Sequence, residues 1–461
     1  MSFTVNAPAA VTGLIDRLER QGFEAWAVGG CVRDALLGLT PHDWDLCTAA
    51  TPAEMRGCFA GLPVLETGLR HGTLTVRVDH VSYEVTTYRA DGVYADGRRP
   101  EQVRFLRDVG GDLARRDFTV NAMAWHPQRG LLDLCGGRDD LRRRLIRAVG
   151  DPRCRFEEDA LRILRALRFA AVLDFAVDAD TAAAIHAQKE LLRRIAAERI
   201  REEFFRLLTG PAAPRVLEEY FDVFCVFVPE LAPMRGFAQH SRYHDRDVWG
   251  HVLAAFAAAP ADDLTLRLAA LLHDVGKPEC FTLDTEGRGH FYGHEARSAQ
   301  MAQVILRRLR ADGETVRQVS ELIARHGLPA TAEKRFLRRW CARLSAPQLR
   351  RLLALKRADT MGHAAACRPA RLQALDACGH MLDEIEAAGD CLSLAALAVN
   401  GRDLLALGLP AGPQIGALLR RLLDAVLDGS LANEHTALLA EAQKEIAQQR
   451  LRAAENGEPK R

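Results

Sequence analysis

Residues 29–48 read GGCVRDALLGLTPHDWDLCT, and the way this stretch folds decides the architecture of everything N-terminal in the chain. Ala25, Trp26, Ala27 and Val28 precede it as a short apolar run of strand character. Gly29 and Gly30 allow close backbone approach to a phosphate at a helix start, and 32–37 reads as helical. Arg33, one turn in, is placed to pair with a phosphate oxygen. A Gly-Leu-Thr-Pro turn at 38–41 leads to Asp43, Trp44 and Asp45. Residues two apart on a strand share a face, so a strand through 43–45 presents two carboxylates side by side. Such a pair repels unless a cation lies between them. Hard oxygen ligands suit Mg²⁺, which takes one or two carboxylates together with substrate phosphates.

Upstream, 8–20 carries Val11, Leu14, Ile15 and Leu18 at helical spacing and is expected to cover the sheet. Downstream, Thr51, Pro52 and Glu54 mark a helix start with a capping box. Residues 73–78 and 83–88 alternate as strands. The segment 89–100, RADGVYADGRRP, is Gly-rich, charged and aperiodic, and reads as a mobile loop. In 112–125, DLARRDFTVNAMAW, Arg116 can hold a triphosphate, Asp117 can accept a ribose hydroxyl, and Asn121 can brace either. Residues 133–141, DLCGGRDDL, read as strand, Gly-Gly turn and helix start. In 158–168, EDALRILRALR, Ala160, Ile163, Leu164 and Leu167 form a buried helix face. Asp159 and Arg162, three apart, are expected as neighbours on that helix. Arg donates and Asp accepts, and both C and A carry an exocyclic amine beside a ring-nitrogen acceptor.

Composition narrows the class. The 461 residues allow two to four domains, and 62 basic against 61 acidic residues leave a formal charge of +1. A nucleic-acid surface must therefore be a local patch. Apolar runs never reach membrane-spanning length, and Asp16, Arg17, Glu19 and Arg20 interrupt any signal-like pattern. The eleven cysteines contain no C-x-x-C pair, so reduced thiols and a cytoplasmic location are expected.

Taken whole, GG-x-VRD-x-LLG followed by P-x-D-x-D resembles the head of class II tRNA nucleotidyltransferases and bacterial poly(A) polymerases, in the polymerase-β-like superfamily. The string at 115–122 matches that family's RRDFT-x-NA, and Glu158, Asp159 and Arg162 match its E-D-x-x-R, the protein template that stands in for a nucleic-acid one. Arg165 and Arg168 match positions that contact the nucleotide. A third acidic residue often comes from a neighbouring strand in such sheets, and Glu84 is the candidate. The resemblance implies a hinge at 133–141, a buttress at 198–208, and a role for the 89–100 loop in switching from C to A addition.

Further on, His251, His273, Asp274, His294, His326 and Asp359 recur near expected helix ends. Imidazole with carboxylate suits Mn, Fe, Ni, Co or Zn. A metal so held generates hydroxide near neutral pH. Residues 242–363 resemble the HD phosphohydrolase superfamily. His251, His273, Asp274 and Asp359 match its four-ligand set, and His294 and His326 match the extra histidines of two-metal members.

The fold expected is α+β: a polymerase-β-like head with a mixed sheet at 1–148, an all-α neck at 149–240, an HD-type helical domain at 241–365 and a helical tail at 366–461. The resemblance implies addition of C and A to the tRNA 3′ end from CTP and ATP, with Mg²⁺ in the head and Ni²⁺, Mn²⁺ or Co²⁺ in the HD domain. Nearest rivals are a poly(A) polymerase and an enzyme adding only A. ETGLRHGTLTV at 66–76 stands where poly(A) polymerases carry a G-R-R/K-F string. A hydrolase using the head as an RNA platform, or a non-catalytic RNA-binding protein, would not need both Asp43 and Asp45.

Overall fold

The computed structural model describes residues 5–69, 72–91 and 103–455. The chain divides into two compact units, one of residues 1–232 with 305–311 and one of 233–304 with 312–461.

The first unit is built on a seven-stranded mixed sheet. Its strands are β1 (Ala25–Val28), β2 (Asp45–Thr48), β3 (Val64–Gly68), β4 (Thr73–Val78), β5 (Val81–Thr87), β8 (Met123–His126) and β9 (Gly130–Asp133). Between β5 and β8, β6 (Arg89–Asp91) and β7 (Val103–Phe105) pair as an antiparallel ribbon. Residues 92–102, most of the expected 89–100 loop, lie outside the described residues, while its first three residues form a strand. The sheet order is β3-β4-β5-β2-β1-β8-β9. All neighbours are antiparallel except β2 and β5, which run parallel and set Asp45 opposite Glu84. β1 is buried along its whole length, as a central strand covered on both faces must be.

Helices flank this sheet. α1 (Ala9–Arg20) buries Val11, Leu14, Ile15 and Leu18, the face its spacing predicts. α2 (Gly30–Leu36) follows β1, and α3 (Pro52–Cys58) opens with the expected capping box between Thr51 and Glu54. α4 (Val109–Ala114) and α5 (Gly137–Arg143) frame β8 and β9; Asp133 accepts from the backbone N–H groups of Gly137 and Arg138, both at 2.8 Å, to seat α5. Beyond them come α6 (Pro152–Glu158), α7 (Leu161–Leu173), α8 (Ala179–Gln188), α9 (Ala197–Leu208), α10 (Ala213–Glu219) and α11 (Phe221–Phe224).

Two local expectations are corrected. β2 begins at Asp45, not Asp43: β1 turns away into α2 after Val28, so 43–44 has no ladder partner. The alternation still runs through, with Asp43 and Asp45 exposed and Trp44 buried. Second, no single helix spans 158–168. Asp159 is extended (φ −145°, ψ 104°) between α6 and α7, and its Oδ1 accepts the Leu161 N–H two residues on, 3.0 Å away, where the new helix starts. Ala160, Ile163, Leu164 and Leu167 are buried as expected.

The second unit is helical: α12 (Val248–Ala258), α13 (Leu264–Leu272), α14 (His294–Arg308), α15 (Gly313–Arg325), α16 (Lys334–Leu344), α17 (Ala346–Gly362), α18 (Arg368–Ala387), α19 (Gly401–Ala406), α20 (Pro413–Leu427) and α21 (His435–Glu455). The last three close a Leu-rich core through Leu404, Leu418, Leu422 and Leu438. Among the described residues, no helix is long and apolar enough to cross a membrane.

Candidate active site

At the sheet, Asp43, Asp45 and Glu84 gather at the start of β2 and across on β5. Although the residue is exposed, the protein around the Asp45 carboxylate desolvates it in part and, with the Glu84 carboxylate, pushes it up to about 6; Arg116 lowers it and Asp43 raises it further. Carboxylates that crowd one another in this way fit a divalent cation, whose charge relieves the repulsion. The fit is one of oxygen donors only, which favours Mg²⁺.

Beside these carboxylates, Gly29 adopts φ 86° and ψ −133°, and a Cβ there would stand 2.9 Å from Arg116 Nη1. Only glycine lets the β1–α2 turn pass under that guanidinium. Arg116 is held by Asp112 at 3.2 Å, and its Nε is buried with no partner among the described residues. Asp112 is fully buried and carries Arg115 as well, at 2.7 Å.

A chain of polar contacts runs from this turn into the helices that follow. Arg33 Nη1 donates to Asn121 Oδ1 (2.6 Å), and Asn121 Nδ2 donates to Asp117 Oδ1 (3.2 Å). Arg165 donates to Asp117 Oδ2 from Nη2 (2.6 Å) and Nε (2.9 Å). Glu203 on α9 then takes Arg168, and lies 3.7 Å from Arg165. Burial would raise Asp117, but Arg165, Asn121 and the Phe118 N–H outweigh it and hold the carboxyl at about 2.

Asp159 and Arg162 do not pair with each other through their side chains. Arg162 is bound by Glu158 and donates to the carbonyls of Arg155 and Arg115, each at 3.3 Å. Asp159 Oδ2 lies 3.0 Å from Arg199 Nη2. The expected neighbours are thus side by side across a helix start, each held by a different partner.

Three family models match the chain: the Poly A polymerase head domain over 25–147, the RNA and SrmB-binding site of polymerase A over 174–234, and tRNA nucleotidyltransferase domain 2 over 297–442. The CCA-adding enzyme of Levilactobacillus brevis is 35% identical over 93% of this chain and 95% of its own. The chain belongs to the CCA-adding enzyme family. Another CCA-adding enzyme, from Lactobacillus delbrueckii subsp. bulgaricus, is 34% identical over 92% of this chain and 95% of its own. The crystal structure of Bacillus stearothermophilus CCA-adding enzyme in complex with CTP superposes with a TM-score of 0.67 at 28% identity, covering 96% of this chain and 98% of that one. Family membership makes the chain a tRNA nucleotidyltransferase.

This CCA-adding family member carries a second cluster, wholly within the second unit. His251 sits in the first turn of α12, Asp359 in the last turn of α17, His273 and His326 end helices and His294 begins one, all near helix ends as expected. His251 Nε2 lies 3.2 Å from Asp274 Oδ2 and 3.0 Å from Asp359 Oδ1. His273 Nε2 lies 3.3 and 3.5 Å from the same two oxygens. On the other oxygen of Asp274, His294 Nε2 is at 3.4 Å and His326 Nε2 at 3.8 Å. One carboxylate therefore faces two pairs of imidazoles.

The donor set fits transition metals. His273, His294 and His326 each place Nδ1 2.7–2.8 Å from a backbone carbonyl three residues back, which frees Nε2 as a ligand. Both Asp274 oxygens are buried without a well-formed hydrogen bond, though Lys277 Nζ lies 2.6 Å from Oδ2. Burial disfavours protonated His273, but Asp274 and Asp359 outweigh it and push the imidazole up to about 10, so a cation bound there would take the place of the Nε2 proton between these carboxylates. Burial, with His273 adding to it, drives His326 down to about 4. A cavity of about 790 Å³ opens onto Asp274, Asp359, His294 and His326, with Lys277 and Arg371 on its wall.

Sequence reading missed Glu203, Arg199, Asp112 and Lys277. Glu203 had a signal: it falls on the apolar stripe of Ile200, Phe204 and Leu207, where a charge needs a buried partner. Lys277 follows His273-Asp274 by one turn and was open to the same reading.

Proposed function

We propose that this protein adds C and A nucleotides to the tRNA 3′ end, in CCA-end synthesis and repair, using CTP and ATP and releasing pyrophosphate. The tRNA 3′-hydroxyl attacks the α-phosphorus; the new phosphodiester forms as the bond to pyrophosphate breaks. The observation that carries this reading is the meeting of Asp43, Asp45 and Glu84 in a chain whose relatives along nearly its full length are CCA-adding enzymes.

Asp43, Asp45 and Glu84 would hold Mg²⁺, which when bound lowers the pKa of the attacking hydroxyl and neutralises the leaving group. Arg33 and Arg116, beside the open turn at Gly29 and Gly30, bind the triphosphate. Asp117, locked by Asn121 and Arg165, accepts the ribose hydroxyl. Asp159 and Arg162 read the base edge, supported by Glu158; Arg168, tied to Glu203, keeps α7 on α9. We assign the head to 1–148, the neck to 149–240, the HD-type domain to 241–365 and a tRNA-contacting tail to 366–461. The compartment we propose is the cytoplasm, in keeping with eleven free thiols.

Three tRNA transcripts, ending before C74, after C74 and after C75, test the reading when CTP and ATP are supplied separately. With CTP alone the first two transcripts are expected to stop after C75, with ATP alone only the transcript ending in C75 gains a single A, and with CTP followed by ATP all three reach CCA. Extension only of the transcript ending in C75 identifies an A-only enzyme, and a long A ladder identifies a poly(A) polymerase.

The imidazole convergence on Asp274 favours a second activity in the same chain. His251, His273, Asp274 and Asp359, with His294 and His326, would hold one or two transition metal ions such as Ni²⁺, Mn²⁺ or Co²⁺, which supply hydroxide for phosphate-ester hydrolysis when bound. Lys277 and Arg371 on the cavity wall place positive charge where an ester phosphate would sit.

A further inference from the structure

We infer that Arg199 is a specificity-determining positioning residue: it fixes the Asp159 carboxylate against the base edge. The inference rests on the reading of Asp159 as a base-edge acceptor.

Asp159 lies in the extended break between α6 and α7, where α7 holds its side chain through one oxygen. Oδ1 is committed to the Leu161 N–H at 3.0 Å, which leaves Oδ2 as the oxygen free to read a base. The side-chain contact on Oδ2 is Arg199 Nη2, also at 3.0 Å. Arg199 stands in the first turn of α9, four residues before the Glu203 that grips Arg168. One face of α9 thus holds both Asp159 and α7. The second arm of Arg199, Nη1, is buried and has no partner among the described residues, so the side-chain partner of this guanidinium is Asp159.

Discrimination follows from the position of Oδ2. C and A offer an amine to it; U and G offer a carbonyl oxygen in that place, which a fixed carboxylate repels. A carboxylate able to swing away repels nothing. Arg199 removes that freedom.

The test measures kcat/KM for all four nucleoside triphosphates on the truncated transcripts, for the wild type, Arg199→Met, Arg199→Lys, Asp159→Ala and the double variant Arg199→Met/Asp159→Ala. Arg199→Met is expected to lower the CTP:UTP and ATP:GTP ratios about tenfold, the scale of one base-edge hydrogen bond. Arg199→Lys, a cation without the second arm, is expected to fall between it and the wild type. The double variant should discriminate no worse than Asp159→Ala alone. An Arg199→Met that slows all four nucleotides equally, or losses that add in the double variant, overturns the inference. If Arg199→Met does not fold, an unchanged ratio in Arg199→Lys overturns it and a lowered one supports it. Unaltered ratios in Asp159→Ala would instead overturn the base-edge reading itself.

Discussion

Asp117 shows how much one carboxylate can carry. It is nearly buried, it receives three kinds of donor, and its partners reach from α2 through Asn121 to α7. Its carboxyl is held at about 2 in the folded chain against the ordinary value of 3.8. The folded state therefore prefers the ionised form. That preference stabilises fully above about pH 4, at the scale of about 2 kcal/mol, and is lost as pH falls towards 2. Asp117→Asn should lower the melting temperature at pH 7, and the gap to the wild type should narrow between pH 4 and pH 2. A gap that does not change with pH would separate the ion pair from stability. The same variant should narrow the preference for ATP over dATP in single-nucleotide addition. Asp117 was legible because its string, RRDFTVNA, is contiguous. Glu203 was not, because its partner Arg168 lies thirty-five residues upstream and only the packing of α9 on α7 brings them together.

Among the elements, the β1–α2 turn and the α6–α7 break set the site. The turn was readable from Gly29 and Gly30, and the structure adds the reason for the first glycine: its left-handed φ of 86° and the guanidinium 2.9 Å from where a Cβ would stand. Gly29→Ala is expected to cost about 1–2 kcal/mol from backbone strain alone and to displace Arg116. Nucleotide KM should rise for both CTP and ATP, with the CTP:UTP ratio unchanged, since the residues proposed to read the base lie elsewhere. An unaltered KM would mean that Arg116 does not hold the triphosphate. The break was not readable. Residues 158–168 have sound helical periodicity, and periodicity senses only which side chains are buried. It does not sense a carboxylate that takes the backbone N–H two residues on and starts a new helix. The same limit moved the start of β2 from Asp43 to Asp45: alternation was right, but ladder pairing depends on where the neighbouring strand turns away.

At the scale of the whole chain, two clusters of opposite donor chemistry occupy two separate compact units. Asp43, Asp45 and Glu84 offer oxygen alone, while the second cluster sets the imidazoles of His251, His273, His294, His326 and His363 around Asp274 and Asp359. Hard and borderline cations prefer different sets of this kind. The transferase activity and the proposed hydrolase activity should then be lost one at a time. Asp45→Asn is expected to cut nucleotide incorporation on the order of a hundredfold or more, the scale of losing charge stabilisation at a reacting phosphate. Its hydrolysis of 2′,3′-cyclic AMP, stimulated by Ni²⁺, Mn²⁺ or Co²⁺, should be unchanged. His273→Ala should do the reverse, losing hydrolysis and bound transition metal while still extending tRNA. Because His273 is fully buried against two carboxylates, its removal leaves charge unmatched, so circular dichroism must first show that the helices remain. Metal analysis gives the deciding readout independently of turnover. Wild-type protein and Asp45→Asn loaded with Ni²⁺ and then desalted should retain it, and His273→Ala should not. Equal retention by all three would place the metal elsewhere, and the histidines around Asp274 would then serve only to pack α12, α13 and α17 together.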